Sequence, residues 1–207
     1  MKRADQHDEH RIRERRQRVA YEAARLIARH GLQDYRQAKL KAAQQLGILD
    51  DASLPRDAEV QAQLREYQSL FQGAEQPRQL RLRREAALEA MQFFERFQPR
   101  LVGSVLDGTA DANSPVRLQV FSDDADAFAH FLIDARLPAS QLVERRLRLD
   151  REQVAGFPAW GFAADGLAFE ITVLPPELLR HAPLGADHKP MPRASLAALR
   201  KLIAEAG

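Results

Sequence analysis

The sequence has no cysteine, which excludes disulfides and thiolate chemistry and fits a reducing compartment. It has no stretch near the roughly 18 consecutive apolar residues that a membrane span needs. Its first thirty residues are charged where a secretory signal would be apolar. The expectation from these absences is a cytoplasmic protein with no membrane partner. Lysine is scarce as well, 5 residues against 26 arginines, a skew read as coding bias rather than as a phosphate site.

What is present is ordinary for a globular chain. Hydrophobic residues make up 45% and charged residues 29%, too apolar for a disordered tail. At about 150 residues per domain, 207 residues make one domain with an appendage or two small ones. The net charge of +2 is unevenly spread: residues 1–43 hold twelve Lys and Arg against six Asp and Glu, a balance of +6 that leaves −4 for the rest. A basic arm of this kind meets phosphate or an acidic surface, or is simply a solvated helix laced with i, i+4 charge pairs.

The first half reads as helix. Val19, Ala23, Leu26 and Ile27 share a face, with Gly31 placed to stop the helix; Tyr35, Ala38, Ala42 and Leu46 repeat at helical spacing up to Gly47. Residues 48–57 carry Asp50, Asp51, Ser53 and Pro55 without a period and form a connection. Val60, Leu64, Tyr67 and Phe71 mark a third helix closed by Gly73, and Pro77 opens a fourth whose apolar face is Ala87, Ala90, Met91, Phe94 and Phe97.

Past Phe97 the period changes. Arg100 to Val105 is a β-like run that includes Gly103 and Ser104, and Val116, Leu118 and Val120 alternate with Arg117, Gln119 and Phe121. Ser122 with Asp123 and Asp124 starts a helix bearing Phe128, Phe131, Leu132 and Ala135. Strands follow at Leu142–Leu149, Phe157–Ala163 and Leu167–Leu174, the last two joined at Asp165-Gly166, a dipeptide suited to a tight hairpin. A short helical turn after Pro175-Pro176 and a helix with Leu196, Leu199 and Ile203 complete the chain. The expected class is therefore α+β, a helical region over 1–97 followed by a mixed sheet with flanking helices over 98–207.

The stretch from Leu101 to Phe121 carries the functional signal. Val102-Gly103-Ser104, a further glycine at Gly108, and Ser114 before an alternating strand resemble the opening of the nucleotidyltransferase superfamily fold, shared by DNA polymerase beta, the minimal nucleotidyltransferases and the kanamycin-type antibiotic transferases. The resemblance spans residues 98–174. It implies that Gly103, Ser104, Gly108 and Ser114 are the nucleotide-binding positions, small groups that let a backbone approach phosphates. It also implies two aspartates, two residues apart on one strand face, that hold Mg²⁺ for in-line phosphoryl displacement, and a third acid on another strand that activates the attacking hydroxyl.

Here the chain departs from the family. In register, the two metal-binding aspartates fall on Pro115 and Arg117, which do not ligate magnesium, while Glu170 matches the third acid. Arg117, Gln119 and Glu170 are thus the candidate cleft residues. Arg117 and Glu170 are expected on one sheet face, the guanidinium standing where a divalent cation would sit. The leading expectation is an inactive nucleotidyltransferase-like module, a pseudoenzyme that binds a nucleotide, RNA or a protein, with no metal and no cofactor. The alternative is an active enzyme whose Mg²⁺ site is rebuilt from Glu170 and loop acids such as Asp107, Asp111, Asp123 and Asp124. A second alternative is a DNA-binding regulator using the basic helices, where Arg36, Lys39 and Lys41 meet a phosphate backbone. His7 and His10 share a helix face, while His130, His181 and His188 are isolated; none has a partner at metal-ligand or nucleophile spacing.

Overall fold

The computed structural model describes residues 2–30, 32, 34–48, 50–71, 75–185 and 188–205. It divides into two compact units, 1–76 and 77–207.

The first unit is helical: α1 (Lys2–His30), α2 (Tyr35–Gln45) and α3 (Asp57–Phe71). Its core is built from Val19, Ala23, Ala24, Leu26 and Ile27 of α1, Ala38, Ala42 and Ala43 of α2, and Val60 and Leu64 of α3. These are the helical-period positions of the sequence, and the many alanines let the helix backbones approach closely. Asp34 caps α2 by accepting from the backbone N–H groups of Arg36 at 2.8 Å and Gln37 at 3.3 Å. At its other end Gly47 takes φ +65°, and the Ile48 N–H reaches back to the Ala43 carbonyl at 2.9 Å, closing the helix in a Schellman turn. Gly31 and Gly73, the other expected helix stops, lie outside the described residues.

The second unit runs α4 (Glu75–Phe93, of which Pro77 onward belongs here), β1 (Arg100–Val102), α5 (Ser104–Asp107), β2 (Val116–Phe121), α6 (Ala125–Asp134), β3 (Ser140–Arg148), β4 (Val154–Ala164), β5 (Leu167–Leu174), a 3-10 turn (Pro176–Leu179) and α7 (Leu196–Glu205). The strands form one mixed sheet in the order β1-β2-β5-β4-β3, in which β2 and β5 are parallel and every other neighbouring pair is antiparallel. The architecture is α+β with N-terminal helices, as the change of period indicates. Among the described residues, no helix is long and apolar enough to cross a membrane.

One face of the sheet packs Leu118, Val120, Phe169 and Ile171 against Met91 and Phe94 of α4, Phe128 and Leu132 of α6 and Leu199 of α7. Rings dominate this layer: Phe94 and Phe97 lie 5.5 and 5.0 Å from Phe128, and Phe162 stacks on Phe169 at 4.8 Å. The opposite face is covered at one end, where Phe121, Leu147, Phe157 and Leu174 meet Leu178, Leu179 and Met191.

Several boundaries differ from the sequence reading; β3 begins at Ser140 rather than Leu142 and β4 at Val154 rather than Phe157. The division falls between Gln76 and Pro77 rather than at 97/98, because Ala87, Met91, Phe94 and Phe97 share a core with the strands. Helical period identifies the element but not the core that its apolar stripe joins. The run from Arg100 stops being a strand at Val102, since Gly103 at φ +73°, ψ −154° breaks the ladder and Ser104 begins a helical turn. At the β4–β5 hairpin, Asp165 and Gly166 both have positive φ, +50° and +76°, as a type I′ turn requires.

Candidate functional site

The register brings one residue from each strand into a line across the sheet. Val102 pairs with Arg117, Arg117 with Glu170, Glu170 with Gly161, and Gly161 with Ser140. Directly paired residues project from the same face, here the one opposite the aromatic core. Arg117 Nε donates to Glu170 Oε2 at 2.7 Å, with 15% of the arginine side chain and 35% of the glutamate side chain exposed. Arg117 also passes beside Gly103: a Cβ there would lie 3.6 Å from Arg117 Cδ and 4.0 Å from Nη1. Next to the pair Gly161 has no side chain and Leu142 fills the space above it, close enough that a Cβ on the glycine would stand 2.9 Å from Leu142 Cδ2.

The structure therefore brings Gly103, Arg117 and Glu170 together, leaves Gln119 one row along the same sheet face, and places Ser104, Gly108 and Ser114 in other surroundings. Ser104 Oγ is buried with no hydrogen-bond partner. Gly108, at φ +85°, closes α5 and faces α4, where a Cβ would meet Arg84 Nη2 at 3.7 Å and Leu80 Cδ2 at 4.0 Å. The Ser114 hydroxyl donates to Asp111 Oδ1 at 2.8 Å and accepts from the Asp111 N–H at 3.0 Å. Pro115 and Gln119 are buried, Gln119 at 2% exposure with its Oε1 unpartnered.

Three of the four acids named for a rebuilt metal site accept local hydrogen bonds. Asp107 Oδ1 accepts from Thr109 N at 3.1 Å and Oγ1 at 2.5 Å, Asp111 Oδ1 also accepts from Asn113 N at 3.0 Å, and Asp124 caps α6 through Asp126 N at 2.8 Å. Asp123 is exposed. Among the described residues no three His, Asp or Glu side chains converge on a common point. His10 pairs with Glu14 at 3.2 Å, His130, His181 and His188 are exposed, and the side chain of His7 lies outside the described set. On α2, Lys39 is held by Asp57 at 2.7 Å, whereas Arg36 and Lys41 face solvent.

The residues that hold the site loop are two arginines that the sequence reading passed over. Arg83 and Arg84 of α4 are 3% and 7% exposed. Arg83 donates through Nε to the Ser114 carbonyl at 2.8 Å, through Nη2 to the Ala112 carbonyl at 2.5 Å, and through Nη1 to Gln79 Oε1 at 2.6 Å. Arg84 Nε donates to the Val105 carbonyl at 3.2 Å. Burial pushes both guanidinium pKa values down, opposed by the charge of Asp111 for Arg83 and of Asp107 for Arg84. The signal was in the spacing: Arg83, Ala87 and Met91 repeat every four residues along the buried stripe of α4. No family model, no curated protein and no solved structure matches the chain.

Proposed function

We propose that the sheet unit is a nucleotidyltransferase-like module that no longer transfers nucleotides and acts by binding, with the face around Arg117 and Glu170 as its binding cleft. The observation that carries this reading is the 2.7 Å ion pair between Arg117 and Glu170, formed in the strand register where the family resemblance calls for metal-binding carboxylates.

The local topology supports the resemblance. A strand ends at a positive-φ glycine, a helical turn begins at Ser104, the next strand returns antiparallel, and the strand with the remaining acid lies parallel beside it. The chemistry then follows from charge. Phosphoryl transfer of this type relies on divalent cations to neutralise developing charge. A fixed guanidinium repels such a cation, and its contact with Glu170 takes the one carboxylate that would attract it. Arg117 also lines Gly103, narrowing the space that a triphosphate would take. The cleft is thus suited to a ligand that engages an arginine–glutamate pair without metal: the phosphate of a nucleotide or of an RNA on the guanidinium, or a charged side chain of a partner protein.

The test has two arms. Calorimetric titration with ATP and GTP is expected to give the same affinity, or the same lack of it, with and without Mg²⁺. Incubation with labelled nucleotide and an RNA or protein acceptor is expected to transfer no label. Metal-dependent binding together with transfer overturns the reading and restores the active-enzyme alternative.

A further inference from the structure

One row along the same sheet face, Arg100 of β1 pairs in register with Gln119 of β2, and Gln119 pairs with Thr172 of β5. The three side chains therefore stand together on one surface. Arg193, in the segment leading to α7, holds its guanidinium 5.7 Å from the ring centre of Phe121, two residues beyond Gln119 on the same face of β2.

The charge of this corner is one-sided. Arg100 donates to the carbonyls of Gln98 and Pro99 at 3.1 and 3.0 Å, and Arg193 to the carbonyls of Leu178 and Leu179 at 2.7 and 3.1 Å. Neither forms an ion pair with a described carboxylate. Burial lowers the pKa of the Arg193 guanidinium, and the charge of Arg100 lowers it further, so the two cations act on one another. Both are half-buried, where like charges are poorly screened and an anion between them is favoured.

A separate observation points the same way. Gln119 is 2% exposed and its Oε1 has no hydrogen-bond partner, although buried amides are nearly always satisfied. Rotation of the amide exchanges oxygen for NH₂ and presents a donor to an anionic oxygen. Two guanidinium groups match the double charge of a phosphate better than the single charge of a carboxylate, and their planar forks suit its tetrahedral oxygens.

We propose that Arg100, Gln119 and Arg193 form an anion site for the phosphate group of a small phosphorylated ligand, separate from the Arg117–Glu170 pair. This assignment does not depend on the nucleotidyltransferase-like reading. The test is calorimetric titration of the full chain with inorganic pyrophosphate, with acetate as a singly charged control. The wild-type chain is expected to bind pyrophosphate saturably and acetate far more weakly. Arg100→Gln should weaken pyrophosphate by about tenfold or more, the loss of one charge-assisted contact, without lowering the melting temperature. Because Arg193 also holds the 3-10 turn, Arg193→Lys, which keeps the charge but loses the fork, serves as the second variant and should weaken binding less. Arg117→Gln, which removes the cation of the cleft, should leave pyrophosphate binding at this corner intact. Absence of saturable pyrophosphate binding, equal binding by acetate, or unchanged affinity in Arg100→Gln overturns the site. Loss of binding in Arg117→Gln would move it to the cleft and overturn the separation.

Discussion

The two units are built on cores of different material. The helical unit packs Ala20, Ala23, Ala24, Ala38, Ala42 and Ala43 among a few larger side chains, whereas the sheet unit packs Phe94, Phe97, Phe128 and Phe169 against Leu and Ile. Alanine brings helix backbones close and leaves little to delete, so such a core is sensitive to added volume. Phenylalanine buries a large ring whose removal opens a cavity. Buried polar groups occur in both units. Arg83, Arg84, Thr109 and Gln119 lie in the sheet unit, against Ser53 and Gln68 in the helical one.

The largest expected effect is in the aromatic layer. Phe94→Ala should destabilise the sheet unit by about 3–5 kcal/mol, read by denaturant unfolding. In the helical unit the damaging change runs the other way: Ala38→Leu, at a fully buried α2 position, should cost about 1–3 kcal/mol through overpacking. If Ala38→Leu proved neutral, the contrast between the cores would be wrong. Next comes the loop anchor. Arg83→Met leaves the Ala112 and Ser114 carbonyls without their donor, at about 1–3 kcal/mol, and hydrogen exchange should speed up most across residues 109–115.

Smaller effects are expected at the charged sites. Arg117→Met should cost about 1 kcal/mol or less, because Glu170 is partly exposed and water takes over its solvation. A cost of several kcal/mol would mean that the pair holds the fold rather than a cleft. The smallest effect is at Asp150, whose carboxylate accepts from the N–H groups of Gln153 and Glu152 at 2.8 Å each, contacts that hold its pKa below the usual carboxylate range. A folded pKa below the unfolded one gives stability that is present above the unfolded value and is lost as pH falls through the folded value. Asp150→Asn should therefore lower stability slightly at neutral pH and flatten the acid limb, so that the two proteins converge at the lowest pH.

Much of the fold was legible. Helical period located α1 to α4, alternation located β2, and Asp165-Gly166 located the hairpin, because each is a local property of consecutive residues. The sequence reading also expected Arg117 and Glu170 on one sheet face, and the register pairs them. What was not legible depended on contacts remote in sequence. Whether α4 joined the helices or the sheet, that the Ser104 hydroxyl turned inward, and that Gly108 met Arg84 rather than the cleft are all decided by tertiary packing. The buried arginines were missed for a related reason: arginine is read as solvent-facing, yet here the loop carbonyls between residues 105 and 114 supply the acceptors that make burial tolerable.

A guanidinium standing where a divalent cation would sit leaves the sheet unit unable to hold one, which titration of the chain with Mn²⁺, the free ion being followed by electron paramagnetic resonance, puts to the test. The account predicts that Mn²⁺ stays free in the wild-type protein. Stoichiometric Mn²⁺ binding that disappears in Glu170→Gln would contradict it.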